Sequence, residues 1–133
     1  MTADPGVRLV ERYVDIVNGG DLDQLAALFA PDFVQHRPTG TEVGLGPLRA
    51  FVESVHRVLP DLVMRLDVVF ADPAFPDGAR IGALVTQSGT SAQLGRRVTF
   101  REVHVYRIAG GKIAERWFAV DRAAFPAVVP AGR

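Results

Sequence analysis

The sequence predicts an α+β fold in which three N-terminal helices pack on one face of a mostly antiparallel sheet. The hydrophobic period changes from about 3.6 residues to 2 after Pro60, so helices end there and strands begin. The predicted strands are neighbours along the chain, and neighbouring strands usually pair. A chain of 133 residues that is 48% hydrophobic can bury one core. We therefore expect a single domain over residues 1–133, with a loose tail at 126–133.

Helical spacing and end signals mark the three helices, predicted at residues 5–17, 22–30 and 47–59. Asp4 is a typical N-cap, and the Asn18-Gly19-Gly20 sequence is typical of a helix end. In the third helix, apolar residues recur on one stripe until Pro60 interrupts it. These helices supply the apolar surface that the sheet needs to cover one of its faces.

Alternating apolar and polar residues predict four strands, at 62–70, 80–89, 98–108 and 112–121. In the first strand one face is expected to carry Met64, Leu66, Val68 and Phe70. Residues 71–79 contain several turn formers and are predicted to form a long loop, whereas residues 31–36 are predicted to form a brief extended segment.

The last two strands form a predicted hairpin around Gly110-Gly111. A two-residue turn there pairs His104 with Trp117, and a bulge would change this register. On this register one face carries Phe100, Glu102, His104, Tyr106, Glu115, Trp117, Ala119 and Asp121. Such a face is either exposed to solvent or lines a pocket, and its three large aromatic residues favour a pocket. The opposite face, rich in valine and arginine, is a candidate subunit interface.

Four polar residues on or near this predicted face could perform acid/base chemistry. A carboxylate beside an indole loses hydration and becomes a better proton carrier, which makes Asp121 the leading candidate. His104 could exchange a proton or polarise a carbonyl, and Glu102 could orient it or act as a second acid. His36 follows a short apolar run and is expected near the pocket mouth, although a loop histidine is an equal alternative.

Several functional classes are disfavoured by composition. The formal net charge is zero, so no overall field attracts nucleic acid or an anionic membrane. Cysteine is absent and the three histidines form no adjacent pair on a helix, so we expect no metal site. His56 lies beside the apolar stripe of a helix and is interpreted as structural or exposed. No stretch is typical of a secretion signal, and a cytoplasmic location is expected.

Three segments carry a resemblance to a known family: "NGGDLDQLAALFAPDFVQHRP", "TGTEVGLGPLRAFVESVHRVLPDL" and "GRRVTFREVHVYRIAGGKIAERWFAVDR". Together they resemble the SnoaL-like polyketide cyclases of the nuclear transport factor 2-like superfamily, over roughly residues 7–125. The resemblance implies a curved sheet wrapped around a long helix, a cone whose open end holds the ligand, and a homodimer formed through the outer sheet face.

The resemblance also implies a reaction and a site. Its cyclases close a ring by an intramolecular aldol step without cofactor or metal, and the family's acid/base aspartate matches Asp121. His36 and His104 match positions that line the family's pocket, and His104 would stabilise the enolate. The substrate would be an apolar or polycyclic ketone. Glu102 departs from the family, in which that site is often small. The predicted substrate-binding residues of this chain are His36, Glu102, Phe100, Trp117, Tyr13 and Phe51.

Two other functional classes stay open. Some relatives open epoxides with two carboxylates and an arginine around a water molecule, but Arg97, Arg101 and Arg107 have the wrong parity for this face. Only an inward-facing Arg80 would supply the missing cation. The third class is a non-catalytic ligand-binding dimer, in which Asp121 would be an ordinary residue at the end of a strand.

Overall fold

The structure is a computed structural model that describes residues 4–121, and the predicted tail at 126–133 lies outside them. The helical elements are α1 (Pro5–Val17), a 3-10 turn (Leu22–Gln24), α2 (Leu25–Leu28) and α3 (Leu45–Val58). The strands are β1 (Phe29–Arg37), β2 (Gly40–Val43), β3 (Val63–Asp72), β4 (Ala79–Thr90), β5 (Arg97–Ala109) and β6 (Lys112–Val120). Three helices therefore lie with one curved sheet, which confirms the predicted α+β class.

The sheet has six strands in the order β2-β1-β6-β5-β4-β3, so the predicted count of four is wrong. The extended segment expected at 31–36 is in fact the nine-residue strand β1, and the short strand β2 was not predicted. β1 pairs with β6 in parallel, whereas the other neighbouring strands are antiparallel. This parallel contact joins residues far apart in the chain, and local alternation carries no signal for it.

Helix α1 is fixed at both ends. The Asp4 carboxylate accepts hydrogen bonds from the amides of Gly6 and Val7, at 2.8 and 3.2 Å, and so caps the first turn. At the other end, the Asn18 side chain donates to the Met64 carbonyl and accepts from the Met64 amide, at 2.7 and 2.6 Å. The amide group of Asn18 thus ties the end of α1 to strand β3, on the side of the sheet that the helices cover.

A bulge in β3 changes the face of half of that strand. Leu66 pairs with Val85 and Val68 pairs with Leu84, so Asp67 is an extra residue. Met64 is buried beneath the helices, but Val68 and Phe70 are 51% and 62% exposed on the outer face. The prediction that these residues share one face with Met64 is therefore wrong.

A second bulge lies in the terminal hairpin. The turn at Gly110-Gly111 forms as predicted, with Ala109 opposite Lys112 and positive φ at both glycines. Further along, Ile108 pairs with Ile113 but Arg107 pairs with Glu115, so Ala114 is an extra residue in β6. From that point the predicted register is wrong by one residue, and every later side chain of β6 changes face.

Candidate active site

The second bulge brings an arginine into the interior. Arg116 and Phe118 of β6 face the helices together with Glu102 and His104 of β5, whereas Trp117 faces outward. These inward residues line a cavity between α1, α3 and the sheet. Its full lining is Tyr13, Val17, Phe51, Val52, Val55, Met64, Gln87, Glu102, His104, Arg116 and Phe118.

The cavity is narrow and leads to solvent past aromatic side chains. Its volume is about 20 Å³ for the centres of water-sized molecules, which is room for about one water. Phe51, Val55 and Phe118 are half-buried, whereas the other lining residues are buried, so these three mark the mouth. The rings of Phe51 and Phe118 are 5.7 Å apart. A polycyclic substrate can therefore enter only if these walls move apart.

Arg116 is the cation of the cavity and is 1% exposed. Its guanidinium donates to the Tyr13 hydroxyl at 2.9 Å and to the Gln35 side-chain oxygen. Its Cζ atom lies 5.1 and 5.2 Å from the ring centroids of Tyr13 and Phe118. Within residues 4–121, no carboxylate forms an ion pair with it. Because arginine stays protonated in proteins, the cavity contains a permanent buried positive charge held by neutral partners.

Glu102 and His104 form a buried pair in the same cavity. His104 Nε2 lies 2.7 Å from Glu102 Oε1, and their side chains are 2% and 7% exposed. Gln87 donates to the same oxygen at 2.7 Å. The other ring nitrogen, Nδ1, lies 2.7 Å from the Tyr106 hydroxyl. A continuous hydrogen-bonded chain therefore runs from Gln87 through the carboxylate and the imidazole to a phenol.

Burial determines the protonation states of His104 and Tyr106 in this hydrogen-bonded chain. Desolvation lowers the pKa of His104 below its usual value, although the hydrogen bond and charge of Glu102 act in the opposite direction. Desolvation also raises the pKa of Tyr106, so its hydroxyl keeps its proton. At neutral pH the consistent arrangement has Tyr106 donating to Nδ1 and a neutral His104 donating from Nε2 to Glu102. Both contacts of the carboxylate end on Oε1, which leaves Oε2 available for a ligand.

A similar set of groups lies on the outer face. His36 stacks on Trp117, with ring centroids 5.2 Å apart and planes at 9°. Its Nε2 lies 2.5 Å from Glu115, which also accepts from Arg107 at 2.9 Å. Partial burial alone would raise the pKa of Glu115, but the bonds from His36 and Arg107 outweigh it and lower that pKa. The expectation that His36 lies at the pocket mouth is wrong, because its neighbour Gln35 takes the inward position on β1.

The predicted site residues therefore separate into groups. Glu102, His104, Tyr13 and Phe51 line the cavity together. Phe100 faces the same interior and is 5% exposed, but it is a core residue outside the cavity lining. His36 and Trp117 lie on the outer face.

Asp121 follows the end of β6 and is exposed, and its amide donates to the carbonyl of Arg101 at 3.1 Å. It pairs with an outward-facing residue and is not among the residues that line the cavity. Arg80 also stays outside, with its Cζ atom 4.5 Å from the Phe75 ring centroid and 5.6 Å from that of Trp117.

Sequence reasoning missed Arg116, Phe118 and Gln87. On β6 an arginine follows a glutamate and a phenylalanine follows a tryptophan, so either register gives one charged and one aromatic residue inward. Gln87 could have been found, because it lies on the same face of β4 as the buried residues Val85 and Ala83. Within residues 4–121, no cluster of three His, Cys, Asp or Glu side chains could hold a metal ion. Over that range, no helix is long and apolar enough to cross a membrane.

Solved structures with the same fold are numerous. A SnoaL-like polyketide cyclase from Agrobacterium tumefaciens is 22% identical, with a TM-score of 0.78 over 94% of this chain and 98% of that chain. An NTF2-like protein of unknown function from Burkholderia pseudomallei is 23% identical, with a TM-score of 0.80 over 97% and 100%. TsrD from Streptomyces laurentii is 22% identical, with a TM-score of 0.79 over 98% and 99%. At these identities the likeness shows the fold.

The family follows from the sequence itself. No curated protein matches the chain. Residues 10–116, most of the chain, match the family described as the SnoaL-like domain, which agrees with the resemblance seen in the three segments. This protein therefore belongs to the SnoaL-like domain family.

Proposed function

We propose that this protein is a cofactor-free acid/base enzyme that acts on an enolisable carbonyl compound, as a polyketide cyclase-like aldol catalyst or an isomerase. The observation that carries the proposal is the buried Glu102–His104 pair in a cavity that also contains the Arg116 cation. A carboxylate can take a proton from carbon, and a nearby fixed cation stabilises the enolate that results.

Glu102 is the proposed proton carrier. Its Oε1 is held by Gln87 and by His104, which fixes the carboxylate while Oε2 remains open to a ligand. Glu102 removes a proton next to a carbonyl group, and the enolate carbon attacks a second carbonyl of the same molecule. A carbon–carbon bond forms, and the new alkoxide takes the proton back from Glu102, so no atom or electron is lost. In an isomerase the same proton returns to a different carbon.

His104 acts through Glu102 as a positioning residue. Because its imidazole is neutral at neutral pH, it holds the carboxylate by a hydrogen bond without neutralising its charge. Tyr106 keeps this tautomer by donating to Nδ1. The same chain of contacts gives a role to Glu102, which the family resemblance leaves open and which lines the cavity.

Asp121 remains the prediction of the family resemblance. Its exposure and its outward-facing pairing favour Glu102 over it as the proton carrier. The two assignments make opposite predictions for Glu102→Gln and Asp121→Asn. Each substitution removes one ionisable carboxyl and keeps the side-chain shape, so the rate should fall only for the residue that carries the proton. A homodimer joined through the outer sheet face and a cytoplasmic location belong to the same proposal.

Epoxide opening is a second candidate, and the inward position of Arg116 favours it. On the predicted register such an enzyme would lack its arginine, whereas the bulge at Ala114 places Arg116 in the cavity with a carboxylate. Among the described residues, however, Glu102 is the one carboxylate that lines the cavity. A water-activating pair of carboxylates would therefore have to use a residue outside that lining.

The test is hydrogen exchange in D2O, which requires no knowledge of the natural substrate. We expect the wild type to accelerate exchange of the α-hydrogens of 4-hydroxy-2-butanone, followed by proton NMR. Glu102→Gln should lower this rate by about 10²- to 10⁴-fold, the usual contribution of a general base. Asp121→Asn should leave it nearly unchanged, and the reverse pattern would assign the chemistry to Asp121.

Two further results would redirect the proposal. Hydrolysis of styrene oxide to its diol without ketone exchange would establish the epoxide-opening alternative. If neither reaction is accelerated while ligands still bind, the protein is a non-catalytic binding domain. Circular dichroism of each variant shows whether a lost rate reflects a lost fold.

A further inference from the structure

Two adjacent side chains, Arg116 and Gln35, carry buried hydrogen-bond donors that have no partner within residues 4–121. These donors are the Nε–H of Arg116 and the Nε2 group of Gln35, and the two residues are 1% and 2% exposed. The Gln35 oxygen accepts from Arg116, so the side chains lie against each other, and a flipped amide would oppose two donors. Unpaired buried donors are costly, so they mark a position for the acceptor atoms of a ligand.

The guanidinium of Arg116 keeps its charge and has more donors than its neighbours accept. It has five N–H groups, of which one donates to the Tyr13 hydroxyl and one to Gln35. Burial alone would lower the pKa of Arg116, but its contacts with Tyr13 and Tyr106 raise that pKa, so the side chain stays protonated. The Nε–H is left without an acceptor among the described residues.

The surroundings of this cation contain no compensating negative charge. Four aromatic rings have their centroids 5.1–5.9 Å from its Cζ atom, those of Tyr13, Phe51, Tyr106 and Phe118. Aromatic rings attract a cation, but they offer no oxygen lone pair to its N–H groups. Within residues 4–121, no carboxylate forms an ion pair with Arg116. Because buried charges in proteins are usually paired, the missing partner of Arg116 is an anion.

The Glu102 carboxylate does not fill this position. Arg116 pairs with Tyr106 in the sheet whereas Glu102 pairs with Val120, so the two charges lie at different levels of the cavity. Glu102 has its own donors in Gln87 and His104. The Gln87 oxygen, which also has no partner within residues 4–121, is an acceptor beside Glu102 and suits a water molecule or a hydroxyl group. The cavity thus has an acceptor-rich end at Glu102 and a donor-rich end at Arg116.

From these donors and this uncompensated charge we infer that the Arg116 end of the cavity is a binding site for the carboxylate of a small organic acid. The guanidinium and the Gln35 amide are its donors, and planar carboxylates match the planar donor set of arginine. The cavity has room for about one water, so a short monocarboxylate suits it better than a larger and more highly charged phosphate. The apolar side chains of Val52 and Phe118 suit the hydrocarbon part of the acid.

This inference concerns binding and does not depend on the proposed reaction. In that reaction the enolate carries its negative charge beside the same cation. A carboxylate bound to Arg116 occupies the position of the enolate oxygen, so it should inhibit the exchange of a simple ketone.

Titration of the wild type with two probes of nearly equal shape tests the site without a variant that could misfold. The probes are propionate and the neutral propionamide, added at constant ionic strength in sodium chloride. The readout is the Nε–H signal of Arg116 in ¹⁵N–¹H NMR, recognised as the signal that Arg116→Lys removes. Propionate should shift this proton downfield and bind about 10- to 100-fold more tightly than propionamide, because hydrogen bonds between two charged groups are the stronger ones.

A substitution that supplies the missing anion from within the chain then locates the site. Gln35→Glu keeps the side-chain shape and places a carboxylate against Arg116. It should weaken propionate binding at least about 10-fold and shift the Nε–H signal before any ligand is added. Gln24→Glu is the matched control, because Gln24 is exposed and is not among the residues that line the cavity. The control should bind propionate as the wild type does.

Three outcomes would overturn the inference. The first is equal affinity of the wild type for propionate and propionamide. The second is an unmoved Nε–H signal at the highest propionate concentration, which would mean that the buried donors bind only water. The third is equal propionate binding by Gln35→Glu and Gln24→Glu, which would place the bound propionate elsewhere on the protein.

The exchange assay separates these failures from failure of the proposed function. Exchange that is accelerated without propionate binding refutes only the carboxylate site, whereas propionate binding without accelerated exchange refutes only the catalysis. The keto acid 4-oxopentanoate identifies the source of the carboxylate. Faster exchange of this acid than of 4-hydroxy-2-butanone assigns the carboxylate to the substrate, and slower exchange assigns it to a separate inhibiting acid.

Discussion

The two faces of the sheet carry nearly the same set of groups in different surroundings. On the inner face, His104 pairs with Glu102 at 2.7 Å, with side chains 2% and 7% exposed. On the outer face, His36 pairs with Glu115 at 2.5 Å, with side chains 32% and 19% exposed. Each pair has aromatic neighbours, and each face has an arginine. Only the surroundings of the two pairs differ.

That difference decides what each pair can do. Burial lowers the pKa of His104, so the inner pair is a neutral imidazole holding a carboxylate. The outer carboxylate is instead stabilised in its charged form by His36 and Arg107, which lowers the pKa of Glu115. The inner pair is thus suited to proton transfer, and the outer pair is an ordinary, partly solvated contact between an imidazole and a carboxylate. Residue type alone therefore does not identify an acid/base site, because burial determines its chemistry.

The largest expected effect comes from exchanging the two charges that the bulge assigns to opposite faces. Glu115→Arg combined with Arg116→Glu would place a carboxylate beside Tyr13 and Gln35 inside and a second cation beside Arg107 outside. We expect a loss of more than about 4 kcal/mol in the free energy of unfolding, because a buried hydrogen-bonded cluster is broken. Urea denaturation followed by tryptophan fluorescence measures it. A double variant of near wild-type stability would show that these side chains do not determine which face of β6 is buried.

The two bulges also explain how far the sequence could predict this molecule. The helix ends at Asp4 and Asn18 and the Gly110-Gly111 turn are local signals, and the structure confirms each of them. The extra residues Asp67 and Ala114 are not signalled locally, because alternation continues on both sides of each bulge. A buried arginine is also atypical, so the pattern favoured the wrong face.

The family resemblance predicted the fold correctly but not the membership of the cavity. The bulge at Ala114 lies in β6, so Glu102 and His104 on β5 kept their predicted face. Trp117 and Asp121 lie beyond it, so they separate from those two residues. The division of the candidate site into cavity and non-cavity residues thus follows from one inserted residue, Ala114.

The second largest expected effect is a difference in exchange rate between matched substitutions on the two faces. Glu102→Gln and Glu115→Gln are matched substitutions on opposite faces, each beside a histidine. We expect the inner substitution to lower the α-hydrogen exchange rate by about 10²- to 10⁴-fold, because only that carboxylate can reach a bound ketone. The outer substitution should change the rate less than about 2-fold, since a surface ion pair contributes little to the fold. Equal effects of the two substitutions would contradict the assignment of the cavity as the active site.

A smaller effect is expected in the pH dependence of stability. Because burial lowers the pKa of His104, the unfolded chain binds more protons than the folded chain at pH values between that pKa and about 6.5. Stability is therefore fully present above about pH 6.5 and falls on acidification below it, by at most about 1.4 kcal/mol per pH unit for one group.

His104→Gln should flatten this slope, as measured by urea denaturation at a series of pH values. The outer pair affects stability in a different, lower pH range. The lowered pKa of Glu115 gives stability that is present above the unfolded value of about 4.5 and is lost as the pH falls further. Glu115→Gln should thus leave the slope near pH 6 intact, and a slope that persists in His104→Gln would assign it to another group.

The smallest effect belongs to the outer histidine. His36→Gln removes the contact with Glu115 and the parallel stacking on Trp117, but Arg107 still donates to that carboxylate. Partly exposed ion pairs contribute about 0–1 kcal/mol, so we expect a loss of about 1 kcal/mol or less and an unchanged exchange rate. A loss as large as that of an inner substitution would mean that the outer face is covered in solution, as in the proposed dimer. Repeating the denaturation at several protein concentrations would decide this, because dimer stability rises with concentration whereas that of a monomer does not.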